Sequence, residues 1–361
     1  MDQKKLSFIP QLDSFRFIAV CLVIISHWLP GNIINRIIPN GFIGVTFFFV
    51  LSGYLISTNL LYAKESIDAG YLTRGRAFKV FYIRRTIRIF PLYYFVVISV
   101  YLLNKNIYDG HIIWYLTYLP NFLVFKEQHW MGMLSHLWSL GAEEQFYLVW
   151  PFLIFFIREK YLKFLFPGIV LASVLCKFCF FIYIPENTCT SALTISCLDA
   201  FGVGASLALL TLKEKQNDFI FSNKNFWLYF IAMVITSAIV FINGIIFLLG
   251  FCISIVSALI IIKATKGFKG LGGKILDHPI LLYLGKISYG IYIYHFFIPW
   301  LIRCIRGQEI TYPTVIPVFP MNWLHNPFLL MGIEFLVLII IASLSWFLIE
   351  KPILKFKKYF V

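Results

Sequence analysis

The sequence predicts an all-α polytopic membrane protein of about ten transmembrane helices with one short re-entrant or interfacial segment. Three observations carry this expectation. Of 361 residues, 60% are hydrophobic and 13% charged, with a mean hydropathy of +0.82. A water-soluble domain cannot hide that much apolar surface, whereas a bilayer accepts it. Apolar stretches near spanning length recur along the whole chain, and the basic residues gather in alternate connections between them.

The first stretch, 11–30, contains Asp13, Arg16 and His27. It is too long for a signal peptide, lacks a small-residue cleavage site and carries two charges, so it is expected to remain in the mature protein. Further spans are expected at 42–61, 87–103, 137–157, 164–183, 194–212, 226–243, 245–263, 282–304 and 327–349. The stretch 111–125 is shorter and aromatic and is expected to be interfacial or re-entrant. Pro30-Gly31-Asn32, Asn243-Gly244 and Asn326-Pro327 punctuate the boundaries.

With the N-terminus inside, the inner connections and termini hold 24 of the 31 basic residues. That asymmetry predicts both termini on the cytoplasmic side. The net charge of +14 therefore reads as membrane anchoring, and no nucleic acid partner is expected. No repeat, low-complexity tract or linker interrupts the chain, so residues 1–361 are expected to form a single transmembrane domain without an appended soluble one. Cys176 and Cys179 have a CxxC spacing inside an apolar stretch, with no second pair, so no metal is expected. Cys189 and Cys197 flank a short loop where a disulfide is conceivable.

Arg16 and His27 are eleven positions apart. That is almost three helical turns, so the two side chains share a face about 16 Å apart along the axis. A charge and an imidazole on a membrane helix are costly and point to function. Asp13, three positions before Arg16, is placed to hold it.

The connection after the second span is rich in cations, ending in Phe81-Tyr82-Ile83-Arg84-Arg85-Thr86-Ile87-Arg88. Anchoring to anionic lipid explains any single lysine there. Arg84 and Arg88 share a helical face, however, and guanidinium forks suit phosphate oxygens. A phosphorylated cytosolic ligand fits the Arg84, Arg85 and Arg88 group.

The fourth span opens with His136-Leu137-Trp138-Ser139-Leu140-Gly141-Ala142-Glu143-Glu144-Gln145-Phe146-Tyr147. Acids near a helix start complement its dipole. The sharper expectation is that Glu143 or Glu144 orients His27, the base–orienter logic of acyl transfer. Glycines 41, 44 and 53 with Ser52 read as packing points between membrane helices. Asp199, Glu334 and Lys177 are expected in ion pairs between helices, and His295 as a hydrogen-bonded buried histidine.

In this order, the motifs resemble the membrane-bound acyltransferase family 3. The resemblance rests on Leu12, Asp13, Arg16, Ala19 and His27, then on the stretches Gly41–Ile56, Phe81–Tyr93 and Trp138–Pro151. Leu284-Gly285-Lys286-Ile287-Ser288-Tyr289 and Ile349-Glu350-Lys351-Pro352 extend it to the end of the chain. Thr46 departs from it, standing where an acidic residue is common.

The resemblance implies a multi-pass enzyme of the bacterial inner membrane that moves an acyl group, usually acetyl, from cytosolic acetyl-CoA as co-substrate. The implied acceptor is a sugar hydroxyl of a surface polysaccharide or a lipid-linked precursor such as O-antigen. Joined with the reading of the residues themselves, it assigns catalytic roles to His27, Glu143 and Glu144. Substrate binding falls to Asp13, Arg16, Arg84, Arg85, Arg88, Trp138 and Ser139. His27 would act as general base or transient acyl acceptor. Two alternatives are a transporter that flips a glycan or anion, and an acyltransferase acting on a small molecule. Against the transporter, the sequence shows no pair of interrupted helices at equivalent places in two halves.

Overall fold

The structure, a computed structural model, describes residues 8–29, 37–186, 188–213, 223–305 and 327–360. The described residues are helical with turns and short loops, and none lies in a strand. The helices are α1 (Pro10–Trp28), α2 (Asn40–Asp68), α3 (Arg74–Leu103), the short α4 (Ile112–Leu116) and α5 (Pro120–Glu127), and α6 (Leu137–Phe156). They continue with α7 (Glu159–Tyr183), α8 (Thr194–Lys213), α9 (Asn223–Ile242) and α10 (Ile246–Lys266). After α11 (Gly270–Leu276) come α12 (Pro279–Lys286), α13 (Ser288–Tyr294), α14 (Phe297–Ile305), α15 (Pro327–Ser345) and α16 (Lys351–Leu354).

Eight helices among the described residues are long and apolar enough to cross a membrane. Of the ten expected spans, two differ from these. Helix α6 has 20 residues, about 30 Å, and so reaches across a bilayer while carrying Glu143 and Glu144. The stretch 282–304 is no single span but three short helices, α12 to α14.

The break has a local cause. Pro299 has no N–H, so the carbonyl four residues earlier, at His295, loses its helical donor. The indole Nε1 of Trp28 donates to that carbonyl instead, at 2.9 Å. Gly285, at the other break, lies against α1 so closely that a Cβ there would stand 1.8 Å from the Asp13 carbonyl oxygen.

Small residues let the central helices touch. A Cβ on Gly204 of α8 would lie 2.1 Å from the Val50 carbonyl oxygen of α2, and one on Gly44 2.4 Å from that of Ala19. These are backbone-to-backbone approaches of the kind that membrane helix interfaces use. The expected ion pair forms between α7 and α8, with Lys177 Nζ 2.5 Å from Asp199 Oδ2. Glu334 is buried in α15.

Helices α4 and α5 lie in the aromatic segment read as re-entrant. Tyrosine hydroxyls of α3 hold it by its main chain. Tyr93 donates to the Tyr115 carbonyl at 2.8 Å and Tyr94 to that of Leu116 at 2.9 Å. Cys189 and Cys197 do not form the disulfide that their spacing allowed.

Candidate active site

A cavity of about 680 Å³ lies among α1, α2, α3, α6, α12 and α13. Helix α1 contributes Asp13 and Arg16, which pair as expected from their spacing. This end of α1 is fixed by neighbouring side chains. Ser14 Oγ donates to the Leu276 carbonyl at 2.5 Å, and Gln11 bridges the main chain of Phe268 and the carboxylate of Asp277.

Helix α3 brings Arg85 and Arg88 to the cavity. The sequence reading paired Arg84 with Arg88 on one face, yet Arg84 does not line the cavity. The inward pair is three residues apart rather than four, and the Arg85 guanidinium also sits 5.5 Å over the Tyr147 ring of α6. Lys286 of α12 adds a fourth cation.

Helix α6 supplies Ser139, Glu143, Glu144 and Tyr147. Residues 139, 143 and 147 are successive turns of one face. Adjacent positions on a helix point in different directions, yet both carboxylates border the cavity. Glu143 Oε1 accepts from Ser52 Oγ at 2.7 Å, and Tyr147 donates to Ser52 at 3.1 Å. One oxygen of Glu144 is buried without a hydrogen-bond partner.

His27 is not among the lining residues, and neither carboxylate orients it. Glu143 lies about two helical turns, some 10 Å, beyond His136 along α6. His136 instead belongs to a histidine cluster with the other two rings. His27 Nδ1 is 2.8 Å from His295 Nε2, and the rings of His136 and His295 are 4.9 Å apart. His295 is fully buried and His27 half-buried.

Ser139 and Tyr292 join the two regions. Both line the cavity, their hydroxyls are 2.5 Å apart, and the Tyr292 carbonyl meets His295 Nδ1 at 2.5 Å. Trp138 stands apart from the cavity, edge-on to Phe49 at 5.9 Å and to Trp130 at 6.1 Å, as a packing residue.

The structure thus unites Asp13, Arg16, Arg85, Arg88, Ser139, Glu143 and Glu144 around one chamber and leaves His27, Arg84 and Trp138 outside its lining. It adds Ser52, Tyr147, Lys286 and Tyr292, and Glu350 from the far end of the chain. Tyr147 and Lys286 were visible within quoted motifs but had no partner to give them a role. Among the described residues, no group of three or more His, Cys, Asp or Glu side chains is arranged to hold a metal ion.

A chamber bordered by four basic and four acidic side chains inside an apolar helical bundle, beside a histidine cluster, defines an integral membrane protein with a charged, concave site among its helices. More narrowly, the chain belongs to acyltransferase family 3, whose acyltransferase domain matches residues 9–349.

Its relatives carry matching names. A candidate O-acetyltransferase of Staphylococcus aureus (strain COL) is 29% identical over 98% of this chain and 58% of its own length. A candidate peptidoglycan O-acetyltransferase of Bacillus subtilis (strain 168) is 29% identical over 96% of this chain and 55% of its own. The O-acetyltransferase OatA of S. aureus (strain NCTC 8325 / PS 47) is 28% identical over 96% and 57%. The chain therefore spans little more than half the length of these relatives. No solved structure matches it.

Proposed function

We propose that this chain is a membrane-bound O-acyltransferase that passes an acetyl group from cytosolic acetyl-CoA to a sugar hydroxyl of a cell-surface glycan. The observation that carries this reading is the chamber itself. Arg16, Arg85, Arg88 and Lys286 border it, and it reaches Ser139 and Tyr292, on which the histidine cluster rests. Guanidinium groups facing a chamber among membrane helices suit the phosphates of a nucleotide thioester, and charged side chains at such a place mark a binding or transfer site.

The donor's phosphates rest on Arg85 and Arg88, with Arg16 further along α1, held by Asp13. The thioester points toward Ser139 and Tyr292. His27 takes the proton of the sugar hydroxyl as its oxygen attacks the thioester carbonyl. The acetyl ester forms, the C–S bond breaks, and the proton passes to the departing thiolate to give free CoA.

The B. subtilis relative named for peptidoglycan favours a wall or surface glycan as acceptor, with lipid-linked O-antigen as the other member of that class. On this reading the chain sits in the bacterial inner membrane with its termini in the cytoplasm, residues 1–361 acting as one acyltransferase domain.

The test uses purified protein in lipid nanodiscs, [14C]acetyl-CoA and chitooligosaccharides as glycan probe, alongside membranes of expressing cells. Wild type is expected to place label in a glycan fraction, and His27→Ala to lose it while keeping its thermal unfolding midpoint. Wild-type turnover in His27→Ala removes the base from His27. Glycan redistribution across the bilayer with no acetyl incorporated anywhere identifies a transporter instead.

A further inference from the structure

We infer that His295 is a positioning residue that fixes the tautomer of His27, presenting His27 with Nδ1 protonated and Nε2 bare. The inference rests on the reading of His27 as the transfer base.

The hydrogen-bond chain starts from an atom that can only accept. The Tyr292 carbonyl oxygen lies 2.5 Å from His295 Nδ1, so that nitrogen carries a hydrogen. His295 has 0% of its surface exposed, and no ion pair among the described residues involves a histidine. A second proton on this ring would be an uncompensated buried charge. The neutral ring therefore has a lone pair on Nε2. That lone pair faces His27 Nδ1 at 2.8 Å, which makes His27 Nδ1 the donor. With its proton committed there, neutral His27 has an unprotonated Nε2.

A carboxylate does this work in hydrolytic triads; here a second imidazole and a peptide carbonyl do it without any charge. The broken helix makes it possible. The last carbonyls of a helix lack intrahelical donors, and α13 ends at Tyr294. The Tyr292 carbonyl is thereby open to His295, and that of Ile293 accepts from His136 Nε2 at 3.0 Å.

Pro299 frees the His295 carbonyl for the Trp28 indole, next in sequence to His27. The break and the end of α1 are thus locked in register. Phe296 closes the group, 4.5 Å from the His27 ring and stacked on His136 at 5.1 Å.

The test is 15N-histidine NMR of the full chain in nanodiscs, with the His27 signals assigned from His27→Gln. Wild type is expected to show an unprotonated His27 Nε2, and His295→Ala a shift toward the Nε2-protonated form. In labelled-acetyl assays His295→Ala and His295→Asn should lower kcat about 10–100-fold with the donor KM unchanged, the range found when the partner of a metal-ligating histidine is removed.

His295→Gln should recover most of it, because its longer side chain places an amide oxygen where Nε2 stood, while asparagine stops short. A protonated His27 Nε2 in wild type, or an unchanged tautomer in His295→Ala, overturns the inference. Equal kcat for the Asn and Gln variants overturns it too. An active His27→Ala would instead overturn the reading beneath it, leaving the tautomer measurement to stand or fall separately.

Discussion

The His27 ring hydrogen-bonds an imidazole from 268 residues away, and such long-range contacts, like the chamber lining, decide what each residue of the site can do. Arg85 and Arg88 face the chamber while Arg84 does not, which separates their expected roles. Arg85→Ala or Arg88→Ala should raise the KM for acetyl-CoA roughly tenfold or more, the cost of one charged hydrogen bond, with kcat nearly unchanged. Arg84→Ala should leave both parameters near wild type in the same steady-state assay. A KM effect as large at Arg84 as at Arg85 would mean that the phosphates bind outside this chamber. Arg16 and Asp13 were legible from spacing alone, because three positions on a helix fix a pair. The partner of His27 was not, because nothing in local periodicity brings position 295 to position 27.

Among the elements, the broken stretch from α12 to α14 matters most. Its apolar composition reads as one span, and hydropathy is blind to the interruption. Pro299 was the available sign, since a proline frees the carbonyl four residues before it, here that of His295. Gly285 marks the other contact. Gly285→Ala forces a methyl group into the Asp13 carbonyl and should lower stability by about 1–3 kcal/mol, read as an earlier thermal unfolding midpoint.

The α7–α8 pair gives a second check. Lys177→Met strands the buried Asp199 carboxylate and should cost on the order of 3–5 kcal/mol, while adding Asp199→Leu should restore most of it. Equal stability of the single and double variants in thermal unfolding would show that the pair contributes nothing.

For the whole molecule, eight of the ten expected spans were readable, because membrane-length apolar runs and basic connections are averages over many residues, robust to any one of them. The chamber was not, because its lining comes from seven stretches of the chain, and a cavity is set by how helices lean rather than by what each contains. The arrangement places the arginine-lined chamber at the Arg16 end of α1 and the histidine cluster at the other. Donor and acceptor are then expected on opposite membrane faces. Protein reconstituted in sealed vesicles of one orientation, with [14C]acetyl-CoA supplied only on the side of the basic connections, tests this most directly. Labelled acetyl ester should appear on chitooligosaccharides held on the other side, and not in vesicles of His27→Ala. Ester formed only on the donor's own side would contradict a route through the chamber to His27.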